Sequence, residues 1–328
     1  LIMLVNFALA QGALQLYDRK WGSAETITVN AQGTKRWLAA ATVLLVAWTA
    51  LSVGIYAGAP ESSSGPRVAS LRPNYPKPAF QDEEYTSEMR VETIVEQARE
   101  AAGRGAEIIY TPEMVFNFDP QVENTETFRA LAQETDAYLF LSYTVVQEGQ
   151  PFRNEAVMLT PEGEFSETYA KNHAPPGEPL SPSAGRYPVY ETPLGTLSTM
   201  ICHDTNYTDV ARKLARNGSQ LSGAAFREFG GYGEQLWTHI VFRAVETRSA
   251  MVVTGVADVS AIIDPYGNVL ALDVNAAGSP AVLVENVSLG TGRTPYLVLG
   301  DLLGWLSLAG YIAMMVFQSR TEKKAKVS

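Results

Sequence analysis

An α/β domain held between transmembrane helices is the architecture this 328-residue sequence predicts. Three observations predict it. Two long stretches are nearly free of charge: residues 37–59, WLAAATVLLVAWTALSVGIYAGA, carry none, and residues 295–317, PYLVLGDLLGWLSLAGYIAMMVF, carry only Asp301. Each is long enough to cross the ~30 Å hydrocarbon core of a bilayer as a helix. Between them, apolar runs of strand length alternate with amphipathic runs of helix length, the pattern of an α/β fold. Finally, basic residues cluster beside the apolar stretches: Arg19, Lys20, Lys35 and Arg36 in one short loop, and Arg320, Lys323, Lys324 and Lys326 in the C-terminal tail.

Taken in order, residues 1–17, LIMLVNFALAQGALQLY, are a further candidate span, and the loop 18–36 joins it to the span at 37–59. Basic flanks stay in the cytoplasm, so the loop and the tail at 318–328 are expected inside, and the 60–294 segment outside. The chain opens without Met and is expected to be a fragment of a longer membrane protein. GAPESSSGPR at 58–67 is a linker of small, polar and proline residues. The external domain then begins with a strand, RVASL (67–71), and an amphipathic helix at 83–105. A strand at 106–112 is stopped by Pro112, and a helix at 124–136 has Asn/Thr capping chemistry. Strands follow at 137–146, 154–161, 195–202 and 250–257, with helices after Cys202 and at 234–249. Residues 260–273 read as a hairpin turning at Asp264-Pro265-Tyr266-Gly267.

Composition excludes several classes of function. The net charge of −10 argues against nucleic-acid binding. The acidity belongs to the external segment, which holds 31 acidic and 17 basic residues. One cysteine, Cys202, allows no internal disulfide. The three histidines, His173, His203 and His239, are too far apart in sequence to suggest a zinc motif. No cofactor or metal is expected.

Chemistry-bearing residues stand at the ends of strands. Glu113 follows a buried strand and a proline in IIYTPEMVF. Lys171 follows a Tyr-Ala strand end in ETYAKNHAPPGE, whose loop also delivers Glu178. Cys202 lies in MICHDTNYTD, between a strand and a helix, where helix N–H groups and a nearby lysine favour a thiolate. Singly, each has an ordinary reading: a loop acid, a surface lysine, a buried thiol. As a set they supply what thiol acyl transfer needs. A carboxylate takes the thiol proton, the thiolate attacks a carbonyl, and an ammonium holds the oxyanion that develops.

TPEMVF, YAKNHAPPGE and MICHDTNYTD resemble the Glu, Lys and Cys motifs of the nitrilase superfamily. The lysine loop, the membrane spans on both sides and GDLLGWLSL in the last span resemble its membrane-embedded branch, the apolipoprotein N-acyltransferases, over about residues 67–317. The resemblance implies a nitrilase-like αββα sandwich outside a bacterial cytoplasmic membrane. It implies transfer of an acyl chain from a phospholipid, through a Cys202 thioester, to the amino terminus of a diacylglyceryl-cysteine lipoprotein. By motif match Glu113 is the base, Lys171 the oxyanion partner, Cys202 the nucleophile and Glu178 a second functional glutamate. The sequence departs from that pattern in places. His203 and Asp204 stand where an aromatic residue and a glutamate are usual. The stretch 221–233, LSGAAFREFGGYG, lacks the usual Asn-Asp pair with Trp-Phe, and the lysine loop is one residue short. The family usually has about eight spans, against three here. Two other functions fit the same residues: a membrane-tethered amidase or nitrilase-type hydrolase with water as acceptor, and a catalytically silent relative.

Overall fold

The computed structural model describes residues 2–21, 31–61, 64–73, 86–227, 231–256, 259–274 and 279–325. By internal contacts the chain divides into two units, Leu1–Pro60 and Glu61–Ser328. The first is a pair of helices, α1 (Ile2–Trp21) and α2 (Ala31–Ala57). Small residues make their contact: Ala8, Thr34 and Ala41 are buried, and Phe7 meets Trp37 edge-on at 5.5 Å. Small side chains let two apolar helices approach closely. Most other side chains of α2 are exposed, although they are apolar. Among the described residues one helix, Gln32–Ala57, is long and apolar enough to cross a membrane, and it coincides with one of the three expected spans. Residues 22–30 of the 18–36 loop lie outside the described residues.

The second unit begins with β1 (Arg67–Arg72), α3 (Ser87–Gly103), β2 (Ile108–Tyr110), α4 (Thr125–Thr135), β3 (Tyr138–Val145), β4 (Arg153–Leu159) and β5 (Tyr169–Ala170). It continues with β6 (Tyr190–Thr192), β7 (Gly195–Ile201), a 3-10 turn (Cys202–Asn206), α5 (Thr208–Arg216), β8 (Leu221–Phe226), α6 (Gly231–Thr247), β9 (Ala250–Gly255), β10 (Ser260–Ile263), β11 (Val269–Asp273) and β12 (Ala281–Asn286). Last come α7 (Pro295–Leu299) and α8 (Leu302–Ala325). The strands form two six-stranded sheets, ordered β12-β1-β2-β3-β4-β5 and β11-β10-β9-β8-β7-β6. Their central strands pair in parallel: β1 with β2, β2 with β3, β7 with β8 and β8 with β9.

Three apolar layers follow from the period-2 alternation of side chains along a strand. On β2, Ile108 and Tyr110 point between the sheets, while Ile109 points to the layer of α3 and α4. On β9, Val252 joins the middle layer, while Met251 and Val253 pack under α5 and α6. Both faces of each central strand are thus covered, which is why the strands read as unbroken apolar runs. Polar groups tie the sheets together: Ser70 Oγ donates to Val253 O at 2.8 Å, and Thr254 Oγ1 to Thr111 O at 3.0 Å. The order helix, sheet, sheet, helix is that of the expected αββα sandwich.

Several boundaries differ from the sequence reading. α3 starts at Ser87, where the Thr86 side chain accepts from Met89 N, and residues 83–85 lie outside the described residues. β6, β8 and β12 are strands absent from the strands read in the sequence. The hairpin forms as expected, with Asp264 Oδ1 accepting from Tyr266 N and Asn268 N and Gly267 at φ +86°. The stretch 295–317 is not one helix. Pro295 starts α7, Gly300 ends it at φ +53°, and α8 begins two residues later. Arg212 of α5 holds α7 down by donating to Leu297 O and Val298 O at 3.0 Å each.

Candidate active site

Glu113, Lys171 and Glu178, expected from the sequence to share a site, meet through the lysine. Lys171 Nζ donates to Glu113 Oε1 at 2.9 Å and to Glu178 Oε2 at 3.0 Å. Its side chain is 2% exposed. Burial pulls the Lys171 ammonium toward the neutral form, but Glu113, Cys202 and Glu178 around it outweigh that pull and hold its pKa above the usual lysine range. Cys202 is thus among the groups whose charge acts on the ammonium. Burial raises the Glu178 carboxyl above its usual range although Lys171 opposes it.

Each side chain is delivered by its backbone. Past β2, Thr111 N and Phe116 N donate to Phe140 O and Ser142 O of β3, so the residues between them bulge from the sheet. Glu113 lies in that bulge, buried, beside Met114 at φ +51°. Asn154 at the start of β4 serves two partners: its Nδ2 donates to Glu113 Oε1 at 2.7 Å, and its carbonyl accepts Lys171 N at 2.9 Å. One buried asparagine thereby sets the position of base candidate and lysine together. Among the described residues, both of these hydrogen bonds to the carboxylate fall on Oε1.

Cys202 is the first residue beyond β7 and is 3% exposed. Its φ of +42° is left-handed, a conformation that costs a non-glycine residue on the order of 1 kcal/mol. Thr205 Oγ1 holds the turn by donating to Cys202 O at 2.7 Å. Such a tight turn between strand and helix projects the residue at its apex away from the sheet.

Asp204 is a residue the sequence reading noted only as a departure from a family pattern. It is fully buried and joins the cysteine turn to the lysine loop. Its Oδ1 accepts from Asn172 N at 3.0 Å and His173 N at 2.7 Å, and its Oδ2 from Tyr169 Oη at 2.6 Å and Ile201 N at 3.3 Å. Burial pushes its pKa up to about 6 against those donors. The short side chain suffices because the loop backbone comes to it.

The histidines, scattered in sequence, gather beside the same turn. His173 stacks on Tyr207 at 3.9 Å, and His203 meets Tyr207 edge-on at 5.4 Å. Asn206 bridges His203 Nδ1 at 3.0 Å and His239 Nδ1 at 3.1 Å. His203 is held toward its neutral form by burial and by Lys171 and His173, despite Glu113. Arg227, just past β8, is also buried, and burial lowers its pKa to about 10 although Glu113 opposes the shift. Within the altered 221–233 stretch, residues 228–230 lie outside the described residues.

Comparison with known proteins matches the sequence to one family. The profile described as Carbon-nitrogen hydrolase matches residues 67–293. An apolipoprotein N-acyltransferase of Geobacter metallireducens is 24% identical over 298 residues, covering 80% of this chain and 56% of that protein. The chain therefore spans about half the length of that relative. A deaminated glutathione amidase of Synechocystis sp. is 25% identical over 227 residues, covering 57% of this chain and 82% of the relative. Among solved structures, an amidase from Nesterenkonia sp. shares the fold with a TM-score of 0.59 at 20% identity, covering 69% of this chain and 91% of the amidase.

Proposed function

The chain belongs to the carbon-nitrogen hydrolase family, and from that premise we propose that it is a membrane acyltransferase. In this reading it carries a fatty acyl group from a phospholipid, through a thioester on Cys202, to the amino terminus of a diacylglyceryl-cysteine lipoprotein. The site supports a two-step exchange. Glu113 Oε2 takes the Cys202 thiol proton while sulfur bonds to the ester carbonyl carbon. The carbonyl oxygen becomes an oxyanion beside the Lys171 ammonium, which stabilises it. Collapse breaks the ester bond, and the departing glycerol oxygen takes the proton from Glu113. The acceptor amine then attacks the thioester carbonyl and gives a proton to Glu113; the C–S bond breaks, the product leaves as an amide, and the proton passes from Glu113 to the sulfur, restoring the thiol. Glu178 shares the ammonium and keeps Lys171 aligned.

One observation carries the choice of a lipid substrate: an apolar, largely exposed helix, Gln32–Ala57, belongs to the same chain as the site. A helix apolar on all sides is at home in a bilayer. The exposed apolar side chains of α8, Trp305, Leu306, Ile312 and Met315 among them, support a second anchor after the domain. We place residues 60–294 as an extracytoplasmic domain between spans at 37–59 and within 295–317, with a further span at 1–17 and the basic loop and tail in the cytoplasm.

Mixing the protein with phospholipid and no acceptor tests this function. Cys202 should gain an acyl mass that hydroxylamine removes, absent in Cys202→Ala and formed at least ~100-fold more slowly in Glu113→Gln. A diacylglyceryl-cysteine peptide should discharge it. A Cys202 that stays unmodified with several phospholipids would sink the proposal. The second reading, a tethered amidase, is favoured by the amidase relative matched over most of its length. Steady release of free fatty acid, or hydrolysis of small amides without transfer, would establish it instead.

A further inference from the structure

One face of the catalytic unit differs from the rest. The outer surface of α3 and α4 is dressed with ion pairs: Arg99–Glu134, Arg104–Glu100 and Arg129–Glu126. Among the described residues, the outer ridge of α6 from Gln235 onward has none. Its exposed positions from Gln235 onward are Thr238, His239, Phe242 and Val245, with Phe242 62% exposed. The charged pair on this part of the helix, Arg243 with Glu246 at 3.2 Å, is turned inward.

That ridge runs between two defined places. α6 packs against the Cys202–Asn206 turn, where His239 reaches Asn206, and its far end packs against α7. Thr294 Oγ1 donates to Glu246 O, so the start of α7 is fastened to the last turn of α6. Beyond it Val298 (72% exposed), Leu299 and Trp305 continue the apolar surface onto α8. His239 and Val245 are ~9 Å apart along the helix. Exposed charges stand at its α7 end, two of them basic and one, Asp301, acidic. Arg216 ends α5 and is exposed, and exposed Arg293 precedes α7 in a loop whose Gly292 lies against Ala215 of α5.

We propose that the ridge His239–Phe242–Val245, continued by Val298, Leu299 and Trp305, is the face on which the catalytic unit lies in the interfacial region of the bilayer. This rests on the acyltransferase reading and deepens it. The occupant is the lipid surface for two reasons. The strip is continuous with α8, whose exposed apolar side chains have the same solvent requirement. Its border also supplies cations that complement anionic lipid headgroups. Seated this way, the mouth of the Cys202 site meets the depth at which an ester carbonyl of a phospholipid lies, and no lipid has to leave the membrane.

The test uses the full chain in Cys202→Ser background, with a fluorophore on Phe242→Cys or, as control, on Glu126→Cys of α4. Each is reconstituted into vesicles of phosphatidylethanolamine and phosphatidylglycerol carrying brominated acyl chains. Quenching at position 242 should exceed that at 126 by threefold or more. Equal quenching overturns the proposal. So does self-quenching at 242 that grows with the protein-to-lipid ratio without bromine quenching, since a second copy would then cover the ridge. In a companion measurement on the Cys202 protein, Phe242→Glu should slow acylation by vesicle phospholipid at least 10-fold. It should leave reaction with soluble p-nitrophenyl butyrate within twofold, and equal slowing of both would count against docking. Bromine quenching without any phospholipid acylation would sink the acyltransferase reading and leave the docking face standing. Acylation without preferential quenching would do the reverse.

Discussion

Asp204 shows how one buried carboxylate can tie a proposed nucleophile to its oxyanion partner. Four donors from two loops converge on it, and burial still lifts its pKa from 3.8 to about 6. Between about pH 4 and pH 6 the folded state therefore holds a proton that the unfolded state has lost. Stability from this group is greatest below that window and falls as pH rises through it, by roughly 2–3 kcal/mol in all. Above pH 6 the carboxylate accepts all four hydrogen bonds. Below it, a protonated oxygen turns donor toward another donor and loosens the lysine loop. Activity is thus expected to fall on acidification with an apparent pKa near 6, even as this term stabilises the fold. Chemical denaturation from pH 4 to pH 7 checks the sign: the slope should be clearly smaller in Asp204→Asn than in the natural protein. No slope difference would refute the assignment. Asp204 was legible as a polar residue near the cysteine, but not as a clamp. Two of its four partners are backbone N–H groups some 30 residues away, and backbone groups look alike in every sequence.

At the level of elements, the two sheets touch through one small position. Gly223 of β8 faces Tyr110 of β2, and a Cβ there would lie 2.3 Å from the tyrosine ring. Tyr110 is buried, stacks on Phe140 at 4.3 Å and reaches Ser198 O at 3.3 Å, so it has no room to yield. Gly223→Ala should destabilise the domain by ~1–3 kcal/mol, as overpacking of a close-packed core does. A calorimetric scan would register it as a lower Tm, and an unchanged Tm would show that the sheets part more easily than their packing implies. Most strands were legible because their apolar runs are strand-length and bounded by Pro, Gly or Asn. β12 was missed because it is an outer strand of its sheet, with Glu285 and Asn286 at its end. It is defined by pairing with β1 along six residues rather than by its own pattern.

For the whole molecule, the proposed topology makes a directional prediction. In Cys202→Ser protein, a membrane-impermeant thiol reagent should label Glu148→Cys, on an exposed loop of the catalytic unit, in intact cells. It should label Lys324→Cys in the basic tail only after the membrane is opened. Labelling with the opposite preference would invert the topology, and equal labelling of both would remove the spans. The rule behind the prediction is legible without a structure, since it depends only on where Lys and Arg stand relative to apolar stretches. The structure changes the reading at 295–317. The first turn there is fastened by Arg212 to the catalytic unit, so the span proposed there is confined to α8.

By itself the sequence determined the α/β class, the strand ends that carry Glu113, Lys171 and Cys202, and the apolar stretches beside the domain. All of these are local: periodicity, length, turn residues and short motifs are written in consecutive positions. Only the tertiary structure decided that Asn154 holds Glu113 and the Lys171 loop together and that Asp204 joins that loop to the cysteine turn. It also decided that three distant histidines line one turn and that the described part of the α6 ridge, from Gln235 onward, carries no ion pair. These depend on which loops the two sheets bring to the same end. That juxtaposition is set by side-chain packing between layers, so no segment of the chain encodes it alone.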